Sequence, residues 1–381
     1  MDRRNFLKVS GMSLAGLSVS EIFTRAASFK HNQKNGSSYS VVLLGDTHFD
    51  AHPDTYYHDG YSDPDPVREA NHRKEFDNYA NMWDSNGPSI LKRAACLVDD
   101  DTRFVLQLGD IIQGDTGSYE AHTRMLTDAF GKIKSAFGPM TFATVVGNHD
   151  IRGLNDDVCR KAYLDFMLPK LSKELGKEIT SPNFSIQMGE DAYIFLDFNF
   201  PDDNEIFQLL KDTEGARYTF VVMHGPLFPY DSPKYYNWYL HGRKSTDPAA
   251  WAAIREAFAK RNAIILCGHT HNTEFADWYG DGGHITQMTF NSVWKGKAQS
   301  VYEPGATKPE EYGNIAKEGL KKSGKNPQKA EDHFKLIRPG LKGYTIARAA
   351  GSYKMNVTPD GVTVDFYAGD DARRSTRFIL R

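Results

Sequence analysis

The chain is poor in cysteine, with Cys96, Cys159 and Cys267 in 381 residues. Three are too few for a disulfide framework, and none has a metal-binding spacing. Cys267 ends an apolar run and reads as a small buried hydrophobe. A Cys96–Cys159 bridge is the pairing left open for an oxidising compartment. The chain also lacks an excess of charge of one sign. Its 46 Lys and Arg face 49 Asp and Glu, for a net charge of −3 and a pI near 6.5. Neither value implies a surface for nucleic acid, so a nuclease is disfavoured. The apolar stretch from Val9 to Phe23 contains Ser and Gly and is too short to span a bilayer comfortably, so no stable membrane span is expected. Internal repeats are absent. What remains, 40% hydrophobic and 25% charged residues, is ordinary globular composition, enough for one large domain or two small ones.

The N-terminus reads as targeting rather than fold. Asp2-Arg3-Arg4-Asn5-Phe6-Leu7-Lys8 resembles the twin-arginine export motif, with the apolar stretch and the small residues Ala26-Ala27 behind it. Residues 1–27 are therefore expected to be an export signal read by the twin-arginine machinery, and the protein to be periplasmic or secreted. The competing reading is an amphipathic N-terminal helix. Residues 28–38 are polar and Gly/Ser-rich, as in a linker.

A single domain is expected over 39–381. Strand-type runs alternate with helical stretches at Ser89 to Leu97, Tyr119 to Phe137, Asp156 to Leu175, Asp203 to Lys211 and Pro248 to Lys260. That alternation argues for an α/β fold. Two insertions depart from compact layering. Residues 49–87 begin Pro-, Asp- and Tyr-rich and end in a helix-like stretch to Trp83. Residues 295–339 are rich in Lys, Glu, Gly and Pro, as in a long functional or disordered loop. Two runs around Thr358-Pro359-Asp360-Gly361 read as a C-terminal β-hairpin.

Function is carried by five short clusters, each after an apolar strand-type run. They are Gly45-Asp46-Thr47-His48, Gly109-Asp110, Gly147-Asn148-His149-Asp150, Met223-His224-Gly225 and Gly268-His269-Thr270-His271. Loops past the carboxyl ends of strands in an α/β sheet converge on one crevice. Five loops that each bring Asp, Asn or His are most economically explained by a shared metal site. A lone buried His is more often structural, but five at these spacings reverse those odds.

The pattern D-x-H, G-D, G-N-H-[ED], H and G-H-x-H, complete and in order, resembles the calcineurin-like metallophosphoesterases from Ser40 to about Asn272. The resemblance implies two facing mixed β-sheets with helices outside, a four-layer sandwich whose terminal strands complete the second sheet. It also implies two metal ions, of Fe, Mn, Zn or Co. Asp46, His48 and His271 would hold the first ion, Asn148, His224 and His269 the second, and Asp110 would bridge them. Two such ions lie about 3.5–4 Å apart and supply a shared hydroxide for in-line attack on phosphorus. His149 would sit over the phosphate and protonate the leaving oxygen.

One position departs from the familiar branches. Purple acid phosphatases place a Tyr ligand three residues after the bridging Asp, and protein Ser/Thr phosphatases an Asp that pairs with the catalytic His. This chain has Gln113 there. Asp150, taken as a second catalytic candidate, or Asp115 is left to orient His149. Weaker candidates for substrate contact are His52, Tyr56, His58, His72, Arg152, His241 and His284, each read first as solvated or packing, and Trp294-Lys295, where a substrate-edge role is left open. The expected function is an exported metal-dependent hydrolase of a small-molecule phosphate mono- or diester. A nucleotidase or cyclic-nucleotide phosphodiesterase is the alternative, and a non-catalytic scaffold of the same fold a remote one.

Overall fold

Short β-branched and aromatic runs build two mixed sheets in this computed structural model, which describes residues 38–51, 63–242, 247–294 and 299–381. The expected export signal, nearly all of the linker, and His52, Tyr56, Tyr57, His58 and Lys295 lie outside the described residues. Strands β1 (Tyr39–Leu44), β2 (Thr102–Gln107) and β3 (Phe142–Thr144) run parallel in the first sheet. The second sheet holds β4 (Phe184–Met188), β5 (Asp191–Leu196), β6 (Thr219–Met223), β7 (Ile264–Cys267), β8 (Thr273–Gly280), β9 (Gly283–Thr289), β10 (Pro304–Ala306) and β11 (Leu341–Ala347), in the order β10-β11-β8-β9-β7-β6-β5-β4. Strands β5, β6, β7 and β9 are mutually parallel. Every residue of β1, β6 and β7 is buried. That is why these strands read as continuous apolar runs and not as alternating ones.

The C-terminal hairpin forms as expected, from β12 (Gly351–Thr358) and β13 (Gly361–Ala368), with Thr358 opposite Gly361. Its place differs from the expectation. β12 pairs antiparallel with β1, and β14 (Thr376–Ile379) follows, giving the first sheet the order β14-β13-β12-β1-β2-β3. The hairpin thus completes the sheet that carries the first three clusters. The sheets face each other through Tyr39, whose hydroxyl lies 3.0 Å from that of Tyr193, and through Phe104, whose ring meets Tyr193 edge-on at 5.3 Å.

Helices cover the outer faces. Helix α1 (Pro66–Ala95) packs on β1 and β12, beside α2 (Tyr119–Phe137), while α3 (Asp156–Leu175) packs on α2 and β3. Over the second sheet, α4 (Asp203–Asp212) lies on β5 and α5 (Pro248–Lys260) on β9. Side chains of Ser118, Asn155, Asp202 and Asp247 cap the starts of α2 to α5. Among the described residues no helix is long and apolar enough to cross a membrane.

Both insertions differ from the sequence expectation. Where two separate stretches were expected around Gly87-Pro88, α1 runs unbroken for 30 residues with Pro88 inside it. It buries Phe76, Tyr79, Trp83, Ile90 and Leu91. From Gln299 onward the second insertion is folded, not a loop. Helices α6 (Asn314–Lys322) and α7 (Gln328–Phe334) send Ala316, Leu320, Ala330 and Phe334 into the core of the second sheet, beside Trp278 and Tyr344.

Candidate metal centre

The five clusters follow the carboxyl ends of β1, β2, β3, β6 and β7, where the two sheets share one end. Backbone bonds tie the loops together. The amides of Thr47 and His48 donate to the Asp110 carbonyl at 3.0 and 2.9 Å, and that of Gly268 to the His224 carbonyl at 2.8 Å. His48, Asp110, His269 and His271 have φ of 43, 54, 79 and 54°. Left-handed backbone at four non-glycine residues is a cost that persists only where surrounding structure imposes it, and it gathers at functional sites. Gly147 permits a close approach. A Cβ there would run into the Asp110 amide nitrogen and carboxylate.

Each carboxylate is held by a backbone amide and turns its Oδ2 to the histidine rings, although Asp46 Oδ2 also shares the His269 amide at 3.1 Å. Asp46 Oδ1 accepts the His269 amide at 2.9 Å, and its Oδ2 lies 3.1 Å from His271 Nε2 and 3.8 Å from His48 Nε2. Asp110 Oδ1 accepts the His149 amide at 2.7 Å. Its Oδ2 lies 3.1 Å from His224 Nε2 and 3.7 Å from His48 Nε2. Around these oxygens His48 Nε2 faces His271 Nε2 at 2.9 Å. His224 Nε2 faces Asn148 Oδ1 at 3.1 Å and His269 Nδ1 at 3.2 Å. Asp46, His48 and His271 therefore form one group, and Asn148, His224 and His269 another, with Asp110 Oδ2 turned to both.

The set fits cations. The His224 Nδ1 atom donates to the Leu108 carbonyl at 2.8 Å, which leaves Nε2 as the inward-facing atom. His48 Nδ1 and His269 Nε2 are buried with no hydrogen-bond partner among the described residues. Burial disfavours charge on Asp46 and Asp110, yet the His224 ring and its neighbours hold both carboxyls below the usual carboxylate range. Burial disfavours charge on His224 too, but Asp110 and Asp46 pull it up to about 10. Burial and the charge on His224 push His269 down to about 3. Positive charge is what two buried carboxylates require here, and mixed O and N donors suit a transition metal.

His149 stands over the first group, its ring edge-on to His48 at 4.5 Å. Its Nδ1 lies 2.9 Å from the Gln113 carbonyl. A carbonyl only accepts, so Nδ1 carries the hydrogen and a neutral ring presents its lone pair at Nε2. Burial and the Arg152 guanidinium hold this ring well below the usual histidine range. Neither proposed orienting acid touches it. Asp150 is fully buried and accepts three backbone amides, those of Asp110 and Gly147 at 2.8 Å and Ile112 at 3.2 Å. It clamps the second loop to the third and makes no hydrogen bond to His149 among the described residues. Asp115 pairs with Arg152. The Gln113 side chain is buried with both amide atoms lacking a hydrogen-bond partner among the described residues.

Other candidates are distributed unevenly. Arg152 and His241 line a cleft beside Asn148, His241 being bonded to Asp203 at 2.8 Å. His72 packs near Phe76 on α1. His284 stacks on Tyr279 at the far end of β9, away from the centre. Trp294 gives its carbonyl to Asn86. Three contributors were missed by the sequence reading. Tyr79 of α1 places its ring 4.6 Å from that of His48. Trp238 stacks on His269 at 4.5 Å, with Tyr235 edge-on at 5.4 Å. The aromatic run Tyr235-Tyr236-Asn237-Trp238-Tyr239, soon after His224, was the available signal.

The sequence model of the calcineurin-like phosphoesterases matches residues 39–273, more than half of the chain. The chain belongs to this family. It is accordingly a metal-dependent phosphoric ester hydrolase. The calcineurin-like fold is shared with the solved structure of PhoD, at a TM-score of 0.51 and 10% identity over 91% of this chain and 69% of that one. GAP50, the anchor in the inner membrane complex of Plasmodium, superposes at 0.44 and 12% identity over 91% and 89% of the two chains. A dimetal phosphatase from Danio rerio superposes at 0.46 and 10% identity over 91% and 99%. No curated protein matches in sequence.

Proposed function

We propose that the protein is an exported phosphoesterase that uses two metal ions on a small-molecule phosphate mono- or diester. Asp46, His48 and His271 would hold one ion, Asn148, His224 and His269 the other, and Asp110 both. The observation that carries this reading is the Asp110 Oδ2 atom, which faces the His48 ring at 3.7 Å and the His224 ring at 3.1 Å. When bound, such ions neutralise the phosphoryl oxygens and provide a nucleophile at neutral pH. The chain supplies the rest. The backbone amides of His269 and His149 fix the two carboxylates. His149, tethered through Nδ1 to the Gln113 carbonyl, offers Nε2 to the phosphate and, once protonated, gives a proton to the leaving oxygen.

Elemental analysis of the purified protein, followed by assay on a panel of mono- and diesters with Mn, Zn or Fe, tests the proposal. Two ions per chain and turnover of at least one ester class are expected. Fewer than two ions at saturation, or no turnover of any ester, would refute it. Export rests on Arg3-Arg4 and the apolar stretch behind them. Replacing both arginines with Lys should leave precursor in the cytoplasm with its activity intact, and unchanged export would overturn that part.

A further inference from the structure

Two clefts of similar size flank the centre, and they differ in aromatic content. The one beside His271, about 430 Å³, mixes polar groups such as Glu303 and Arg348 with Ile315, Ile346 and a single aromatic ring, Tyr235. The other, about 420 Å³, opens beside Asn148 and is lined by Phe198, Phe200 and Trp238, with Arg152 and Asn199 among its polar groups. Both volumes fall in the roughly 300–1,000 Å³ range of small-molecule sites. In the second cleft Phe200 is 47% exposed, with the Arg160 guanidinium 4.2 Å over its ring. Trp238 stacks on His269, so one wall of this cleft is continuous with the metal-facing imidazoles. Phe198 also packs against the core of the second sheet, whereas Phe200 is turned to water at the cleft's mouth, unlike Tyr163, Tyr193 and Phe195, which the core buries fully.

We propose that this aromatic cleft seats a planar ring carried by the scissile phosphate, a nucleobase, and that nucleotides are the substrate class. Flat rings stack on aromatic side chains whatever their edge pattern. The amide of Asn199 and the guanidinium of Arg152 give such an edge hydrogen-bonding groups, which an alkyl chain could not use. Asn148 belongs both to the cleft and to the metal-facing set, so a phosphate at the ions and a base in the cleft are parts of one ligand. The inference rests on the phosphoesterase reading and narrows it.

The test uses the metal-loaded full-length protein. The kcat/KM for nucleoside 5′-phosphates is compared with that for glucose 6-phosphate and glycerol phosphate, and adenosine, which has no phosphate, is titrated against tryptophan fluorescence. Nucleotides should be preferred, and adenosine should bind and compete. In Phe200→Ala the nucleotide-to-glycerol-phosphate ratio should fall roughly 5- to 150-fold, the scale of losing one stacking partner. Phe200→Tyr should restore it. Equal kcat/KM across the three esters, a glucose ester matching the nucleotides, or a ratio untouched by Phe200→Ala would overturn the inference while leaving the phosphoesterase intact. If no ester is hydrolysed, the phosphoesterase reading fails, and the adenosine titration still decides the cleft: saturable binding weakened by Phe200→Ala supports it, and none refutes it.

Discussion

Replacing Asp150 with Ala separates a structural clamp from a catalytic partner. The carboxylate is wholly buried and satisfies the amides of Asp110, Ile112 and Gly147. Deleting it leaves three buried donors unpaired at about 1–3 kcal/mol each. Water entering the vacated space would offset part of this, so a total of roughly 3–6 kcal/mol is expected. With an unfolding entropy of about 2.1 cal/mol/K per residue over ~340 residues, that corresponds to a drop of roughly 4–9 °C in Tm. Because the amides belong to the loops that carry Asp110 and Asn148, metal affinity should fall by roughly 10–100-fold, as when other groups that orient ligands are removed. Asp150→Asn should be intermediate, since its amide nitrogen would face donors. Calorimetry and metal titration of both variants are the assays. If Asp150 instead oriented His149, Asp150→Ala would keep the wild-type Tm and metal content. It would then lose kcat selectively on esters with poor leaving groups. That result would refute the clamp.

Three further outcomes follow from the geometry. His149→Ala should retain its metals while kcat falls by roughly 10²–10⁴, with partial rescue on p-nitrophenyl esters; an equal loss on good and poor leaving groups would argue against proton donation. Gly147→Ala should lose metal and melt early, because its new methyl group would run into Asp110; normal metal content in that variant would show that the loops have room the structure denies. Glu274, buried near Asp231 and pushed up to about 8 by burial and by that neighbour from an ordinary 4.5, is held protonated by the fold. Its stability contribution is therefore complete below about pH 4.5 and is lost as the pH rises through about 8, by at most ~1.4 kcal/mol per pH unit. Chemical denaturation across that window should show a decline that Glu274→Gln flattens, and an identical slope in the variant would disprove the assignment.

Much of this fold was legible because its signals are local. Helices α2, α3 and α5 begin where Ser118, Asn155 and Asp247 can cap them, and their bounds match the sequence expectation. The five clusters were legible because ligand side chains are scarce residue types at fixed offsets behind apolar runs. Helix α1 was hidden by Gly87-Pro88, which normally ends a helix. Here tertiary burial of Trp83, Ile90 and Leu91 on either side overrides that local preference. The second insertion was hidden by its charge. The core contacts of its two helices are the short pairs Ala316/Leu320 and Ala330/Phe334, too brief to register as a period amid Lys and Glu. The tether of His149 was invisible for another reason. It is a main-chain carbonyl, and any residue at position 113 would provide one.

The placement of β12 beside β1 sets an order of assembly. Strands β1 to β3 form one side of the first sheet, and β12 to β14 form the other, with β12 zipped along β1 from Tyr39 to Leu43. All five ligand loops lie before Gly351, where β12 begins. A chain growing from the ribosome therefore exposes the side chains of all five clusters while the strand leading to Asp46 still has one open edge. The centre can become rigid only after β12 has emerged and paired with β1, so ions captured earlier would meet loops that have not yet been locked against one another.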